Sequence, residues 1–89
     1  MLKTIFKNQF VKDYKLQIKR HKNITKLDEI INLLANGENL QPKLKDHTLT
    51  GNYKGFRELH IEPDWLLIYR IEGDDLILEA TGTHSDLFG

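Results

Sequence analysis

The chain has 89 residues, no cysteine and a formal net charge of zero. That length suits one domain over residues 1–89 with one modest core, and the missing cysteines exclude disulfides and thiolate metal sites. No stretch approaches the ~20 apolar residues of a membrane span and the N-terminus lacks a signal-peptide core, so the reading is a soluble, cytoplasmic protein. The neutral total hides an asymmetry. Residues 1–26 carry eight Lys or Arg against the single acid Asp13, and residues 27–89 carry five bases against twelve acids. The basic end either attracts phosphates or an acidic partner or is the solvated face of a helix.

Leu2–Phe6 is apolar enough for an opening strand, with Asn8 available to cap the element after it. Phe6, Phe10, Tyr14 and Ile18 then recur every four residues beside Val11, one face of an amphipathic helix. Lys12, Lys15, Lys19 and Lys22 occupy another face. Asn23-Ile24-Thr25 interrupts, and Thr25 followed by Asp28 resembles a capping box. A second helix to about Asn36 buries Leu27, Ile30, Ile31, Leu33 and Leu34, with Gly37 as its left-handed stop. Residues 38–52 form a long ordered connection. Phe56–Ile61, Trp65–Ile71 and Leu76–Thr81 are three short strands, joined at Glu62-Pro63-Asp64 and at Glu72-Gly73-Asp74-Asp75. Strands joined this tightly make an antiparallel meander. The fold class is α+β: an N-terminal strand and a two-helix hairpin packed on one face of an antiparallel sheet.

Alternation sorts the chemistry-bearing residues. Glu58 and His60 share a face with Phe56, opposite Arg57, Leu59 and Ile61. His60 and Asp64 flank the turn at Pro63, where a carboxylate can raise an imidazole's pKa and fix its tautomer. His47 ends the long connection and His84 follows the last strand. Singly each is an ordinary loop histidine; together they place three imidazoles and a carboxylate at the ends of adjacent elements. Their spacing matches no tight zinc pattern, so acid–base use is preferred to a metal. Phe88 and Trp65 are the aromatics expected near such a site, where a base can stack, although Trp65 suits the core equally well. His21 lies apart in the basic segment. No glycine pattern points to a nucleotide cofactor, and none is expected.

The series Lys45-Asp46-His47-x-Leu49-x-Gly51, then Lys54-Gly55-Phe56-Arg57-Glu58-Leu59-His60-Ile61-Glu62-Pro63-Asp64-Trp65-Leu66-Leu67-Ile68-Tyr69, then Thr81-Gly82-Thr83-His84-x-x-Leu87-Phe88 resembles the YafQ branch of the RelE toxin superfamily. The resemblance implies a RelE-like microbial RNase fold. It also implies a type II toxin that enters the 70S ribosome and cuts messenger RNA in the A site without a metal. A DinJ-like antitoxin would neutralise it, and operator DNA would be met only through that antitoxin. The motif positions imply catalytic roles for His47, His60, Asp64 and His84. Phe88 lies near the substrate, and Lys54, Arg57, Glu58 and Trp65 support the site or bind substrate. Relatives commonly carry arginine before the Thr-Gly-Thr-His segment, where this chain has Ala80. Lys54, Arg57 or Arg70 then substitutes, or the activity is weakened. The neutral total charge is a milder departure. A ParE-like gyrase poison is the alternative on the same fold, and it has no need of three imidazoles at one rim.

Overall fold

In the computed structural model, which describes residues 1–51 and 54–89, the chain opens with strand β1 (Lys3–Phe6) and helices α1 (Asn8–Lys19) and α2 (Ile24–Ala35). A 3₁₀ turn, Pro42–Leu44, leads to the two-residue strand β2 (His47–Thr48). Strands β3 (Arg57–Glu62), β4 (Trp65–Glu72) and β5 (Asp75–Gly82) and a terminal helix α3 (His84–Phe88) complete it. The sheet order is β1-β5-β4-β3-β2. The meander is antiparallel as expected. β1 alone departs, running parallel to β5.

Gly37, at φ 70°, stops α2 as its position implied. Glu38 N–H reaches Leu33 O at 3.0 Å and Gly37 N–H reaches Leu34 O at 3.1 Å, a Schellman closure. The N-terminal signals resolve differently. Asn8 is already helical, and the N-cap of α1 is Lys7 with no side-chain bond. Asn23 stands at the N-cap of α2, so Thr25 and Asp28 form no box; Asp28 accepts from Tyr14 Oη at 2.8 Å instead. Burial and that bond push the Tyr14 hydroxyl up to about 12. The buried face of α1 also turns by one residue, because Gln17 is fully buried while Ile18 is half exposed.

The core lies between the helices and one sheet face, where Phe10, Leu27, Leu59, Trp65, Leu67, Tyr69, Leu76 and Leu78 are almost completely excluded from water. Trp65 belongs to this core. Its indole Nε1–H donates to Thr81 Oγ1 at 3.0 Å, and Thr81 Oγ1–H donates to Leu66 O at 2.6 Å, which ties β4 to the end of β5. The opposite face carries Glu58, His60, Leu66 and Ile68, by alternation along β3 and β4. A bulge at Glu79 brings Ala80 and Gly82 to that face as well. Ile68 pairs with Ala80, but Tyr69 pairs with Leu78, so the extra residue inverts the alternation. The face is not bare, since Leu66 and Ile68 are fully buried. The connection over 38–52 is more structured than a loop, with a 3₁₀ turn around buried Leu44 and strand β2; Asn52, its last residue, lies outside the described residues.

Candidate active site

Two rows of cross-strand neighbours build the site. Gly82, Leu66 and His60 form one row; Ala80, Ile68, Glu58 and His47 form the next. In the second row His47 Nε2 lies 3.0 Å from Glu58 Oε2, the imidazole half exposed and the carboxylate buried. His47 Nδ1 lies 2.6 Å from Lys45 O. In the first row His60 Nδ1 faces Pro63 O at 3.3 Å.

His84 arrives from the far end of the chain. Because Leu66 pairs with Gly82, the residue that begins α3 lies against the β3–β4 turn. There the His84 backbone N–H donates to Asp64 Oδ1 at 3.0 Å and ring Nδ1–H donates to the same oxygen at 2.8 Å. These two bonds, the backbone one foremost, hold the Asp64 carboxyl below the usual range. The pairing expected from the sequence was His60 with Asp64. Instead Asp64 serves His84, and His60 turns to the backbone of the same turn. The rings form a file: His47 to His60 at 6.4 Å, His60 to His84 at 5.7 Å, and His84 to Phe88 at 6.5 Å.

The short helix α3 is held by a cluster of its own. Thr83 Oγ1 accepts from Asp86 N–H at 3.1 Å and Thr83 N–H donates to Asp86 Oδ2 at 2.9 Å, a complete capping box. Arg20, at the end of α1, donates to both Asp86 oxygens at 2.6 and 3.1 Å. The Arg20 guanidinium, then the Thr83 N–H, hold the Asp86 carboxyl far below its ordinary value. Gly82 is required by proximity: a Cβ there would stand 2.8 Å from Asp86 Oδ2 and 2.9 Å from Asp86 Cβ. The sequence Thr83-x-x-Asp86 is a capping-box signal that could have revealed this helix; the Arg20 contact has no local signal.

Of the residues expected at the site, His47, His60, Asp64, His84, Glu58 and Phe88 come together. Trp65 does not, being buried on the helix side. Arg57 does not either: alternation puts it opposite His60, and its guanidinium donates to Asp46 Oδ1 and Oδ2, both at 3.2 Å. Lys54 is exposed in the turn before β3, and no contact joins it to the cluster among the described residues. Arg70 was weighed only as a substitute cation. By alternation it shares the histidine face, with its guanidinium carbon 5.3 Å from the Phe56 ring centroid and Nη1 3.1 Å from Glu72 Oε2. Ala80 faces the same side. Among the described residues, Glu58, His60 and His84 each offer one atom to a metal, all within 4.8 Å of one another.

A strand and helical hairpin on this five-stranded sheet, with imidazoles gathered on the face away from the helices, is the RelE-like toxin fold. The family model described as "Bacterial toxin of type II toxin-antitoxin system, YafQ" matches residues 2–89. The chain belongs to the YafQ family. It is 47% identical over 85 residues to the mRNA interferase toxin YafQ of Escherichia coli K12, covering 94% of this chain and 92% of that protein. The E. coli DinJ-YafQ complex superposes with a TM-score of 0.93 at 44% identity over the full length of both chains. A metal-bound toxin from Helicobacter pylori superposes at 0.92 with 40% identity, covering 99% of this chain and all of that one.

A carboxyl depressed in the fold, as that of Asp86 is, stabilises the fold above the unfolded value of about 3.9 and loses that contribution as pH falls through its folded value. Acidification is therefore expected to release α3 only below the ordinary carboxylate range. The Thr83 and His84 amide resonances, followed by pH titration, report it, and Asp86→Asn should show the released shifts already at neutral pH.

Proposed function

We propose that this chain is a single-domain type II toxin that cleaves translated messenger RNA in the ribosomal A site, in the cytoplasm, by metal-independent acid–base chemistry. The observation that carries the reading is the file of three imidazoles from three separate elements, beside a carboxylate that orients one of them. In this reaction the ribose 2′-hydroxyl attacks the adjacent phosphate. The new O–P bond closes a 2′,3′-cyclic phosphate as the P–O5′ bond breaks. One imidazole accepts the 2′-hydroxyl proton and another donates a proton to the departing 5′-oxygen, so the protons balance. His84 is suited to one of these tasks because Asp64 engages Nδ1 and leaves Nε2 for the substrate. His60 turns Nδ1 toward Pro63 O, and among the described residues no hydrogen bond engages its Nε2. His47 contacts the phosphate, Glu58 supports it from below, and Phe88 offers a ring on which a base can stack.

A phosphorane also needs positive charge nearby. Of the cations named for that role, Arg57 is committed to Asp46 behind the sheet, whereas Arg70 shares the histidine face, where it pairs with Glu72 at 3.1 Å and lies 4.0 Å from Glu79. Arg70 would take the role in place of the absent arginine at position 80. A metal would fit Glu58, His60 and His84 and act as a Lewis acid, but it would occupy the nitrogens that proton transfer needs. The two uses exclude each other.

A DinJ-like antitoxin is the fitting partner. Phe6, Phe10, Val11, Tyr14 and Ile31 line an apolar groove of about 320 Å³, with Phe6 and Val11 exposed. Lys15 and Asp28 line it as well. A segment that folds on binding, apolar within the groove and acidic toward Lys12, Lys15 and Lys19, would cover it. Operator DNA would be reached through that partner.

Expressed alone, the chain is expected to arrest growth and to generate new 5′ ends inside translated messages, mapped by primer extension. His60→Ala or His84→Ala should slow cleavage about 10²–10⁴-fold, and removing zinc and copper, with magnesium held in excess for the ribosome, should leave it unchanged. Intact messages with blocked DNA supercoiling would mean a gyrase poison. With Arg70 supplying the charge, Ala80→Arg is expected to leave the single-turnover rate unchanged; a gain toward about 10²-fold would mean that the charge is missing. Val11→Asp should weaken antitoxin binding about tenfold or more by calorimetry while message cleavage stays as it was.

A further inference from the structure

Behind His47, on the helix-facing side of the sheet, lies a polar cluster that the proposed chemistry does not use. Asp46 immediately precedes His47, so the two side chains leave the strand on opposite faces. Tyr69 Oη–H donates to Asp46 Oδ1 at 2.7 Å, and Arg57 Nε–H and Nη2–H donate to Asp46 Oδ1 and Oδ2 at 3.2 Å each. Arg57 and Tyr69 are themselves cross-strand partners in β3 and β4. One carboxylate on the β2 segment is thereby held by two neighbouring strands.

β2 needs such help. It is two residues long, with His47 paired to Glu58 and Thr48 to Arg57 and one further bond from Leu49 N–H to Phe56 O at 2.9 Å. A strand so short has little register specificity of its own, and a slip of one residue would carry His47 to the wrong face. The segment also enters through Lys45 at φ 52°, a left-handed conformation that is unfavourable for a non-glycine residue and persists only where the surroundings enforce it. The same residue's carbonyl meets His47 Nδ1 at 2.6 Å. Burial, then the bond to Asp46, push the Tyr69 hydroxyl well up, so it remains a donor throughout the working pH range.

We propose that Asp46, Arg57 and Tyr69 are positioning residues that hold the β2 segment in register and so aim His47 at Glu58 and the substrate phosphate. Arg57 thus acts through Asp46 and not on RNA. The proposal rests on the functional reading that places His47 in the cleavage site.

The test is a mutant cycle between Tyr69→Phe and His47→Ala, with single-turnover cleavage of ribosome-bound message read at saturation. Tyr69→Phe is expected to slow the step about tenfold in the wild-type background and less than about twofold beside His47→Ala. Half-saturation should not change in either. Asp46→Asn, which keeps the shape of the side chain, should repeat the pattern. In parallel, Tyr69→Phe should shift the His47 ring resonances and leave those of His21 in place, a readout that needs no cleavage. Equal slowing in both backgrounds, no slowing in either, or unmoved His47 resonances would overturn the proposal. A wild-type chain that cleaves no message would overturn the functional reading instead, while the ring resonances would still decide whether the cluster holds His47.

Discussion

The pairing of Leu66 with Gly82 decides where the functional side chains lie. It brings the residue that opens α3 against the turn between β3 and β4, where Asp64 accepts both the amide and the ring nitrogen of His84. The same ladder, continued through β3 to β2, sets His60 and His47 in neighbouring rows. Without that register, residues 47, 60, 64 and 84 would not be gathered at one rim of the sheet. The buried core facing the helices maintains the register, because a one-residue slip would expose Trp65, Leu67 and Tyr69 together.

Carboxylates then fix the direction of two imidazoles and two guanidiniums. Asp64 holds His84, Glu58 holds His47, Asp46 holds Arg57 and Asp86 holds Arg20. Asp64 with His84 and Asp86 with Arg20 are the exposed pairs, where isolated ion pairs add little stability, and Asp46 with Arg57 is part-buried behind the sheet. Their value is orientation: each removes rotamer freedom from a group whose direction matters. Glu58 differs in being buried, so its partner is held from beneath and not from the solvent side. The acidic surplus of residues 27–89 is concentrated partly in these pairs. Part of the basic surplus answers it, Lys22 and Lys26 facing Glu62 at 3.8 and 3.9 Å, while Lys15 lines the apolar groove over Phe10 and Tyr14.

Legibility followed the range of each signal. The helices, the Gly37 stop and the meander were readable because apolar period and turn residues are local properties. The face of His60 and Glu58 followed from alternation within a single strand. The partner of Asp64 was misread because proximity along the chain favoured His60, whereas the β4–β5 ladder delivers His84 from twenty residues away. Trp65 suits site or core from sequence alone and Arg57 takes its place from a motif, and side-chain direction puts both behind the sheet. The bulge at Glu79 carries no compositional mark. Simple alternation from Leu76 and Leu78 would have put Ala80 in the core, yet it faces the histidines.

By itself, then, the sequence determined the class of fold, the family and the set of residues from which a site could be drawn. Those depend on patterns that neighbouring residues carry between them. Tertiary structure alone decided which carboxylate meets which imidazole, that Arg20 clamps Asp86, and that Asp46 is shared by two strands. Each of these contacts joins segments between 11 and 66 positions apart, and their meeting depends on strand register and a bulge that are settled only when the whole core packs.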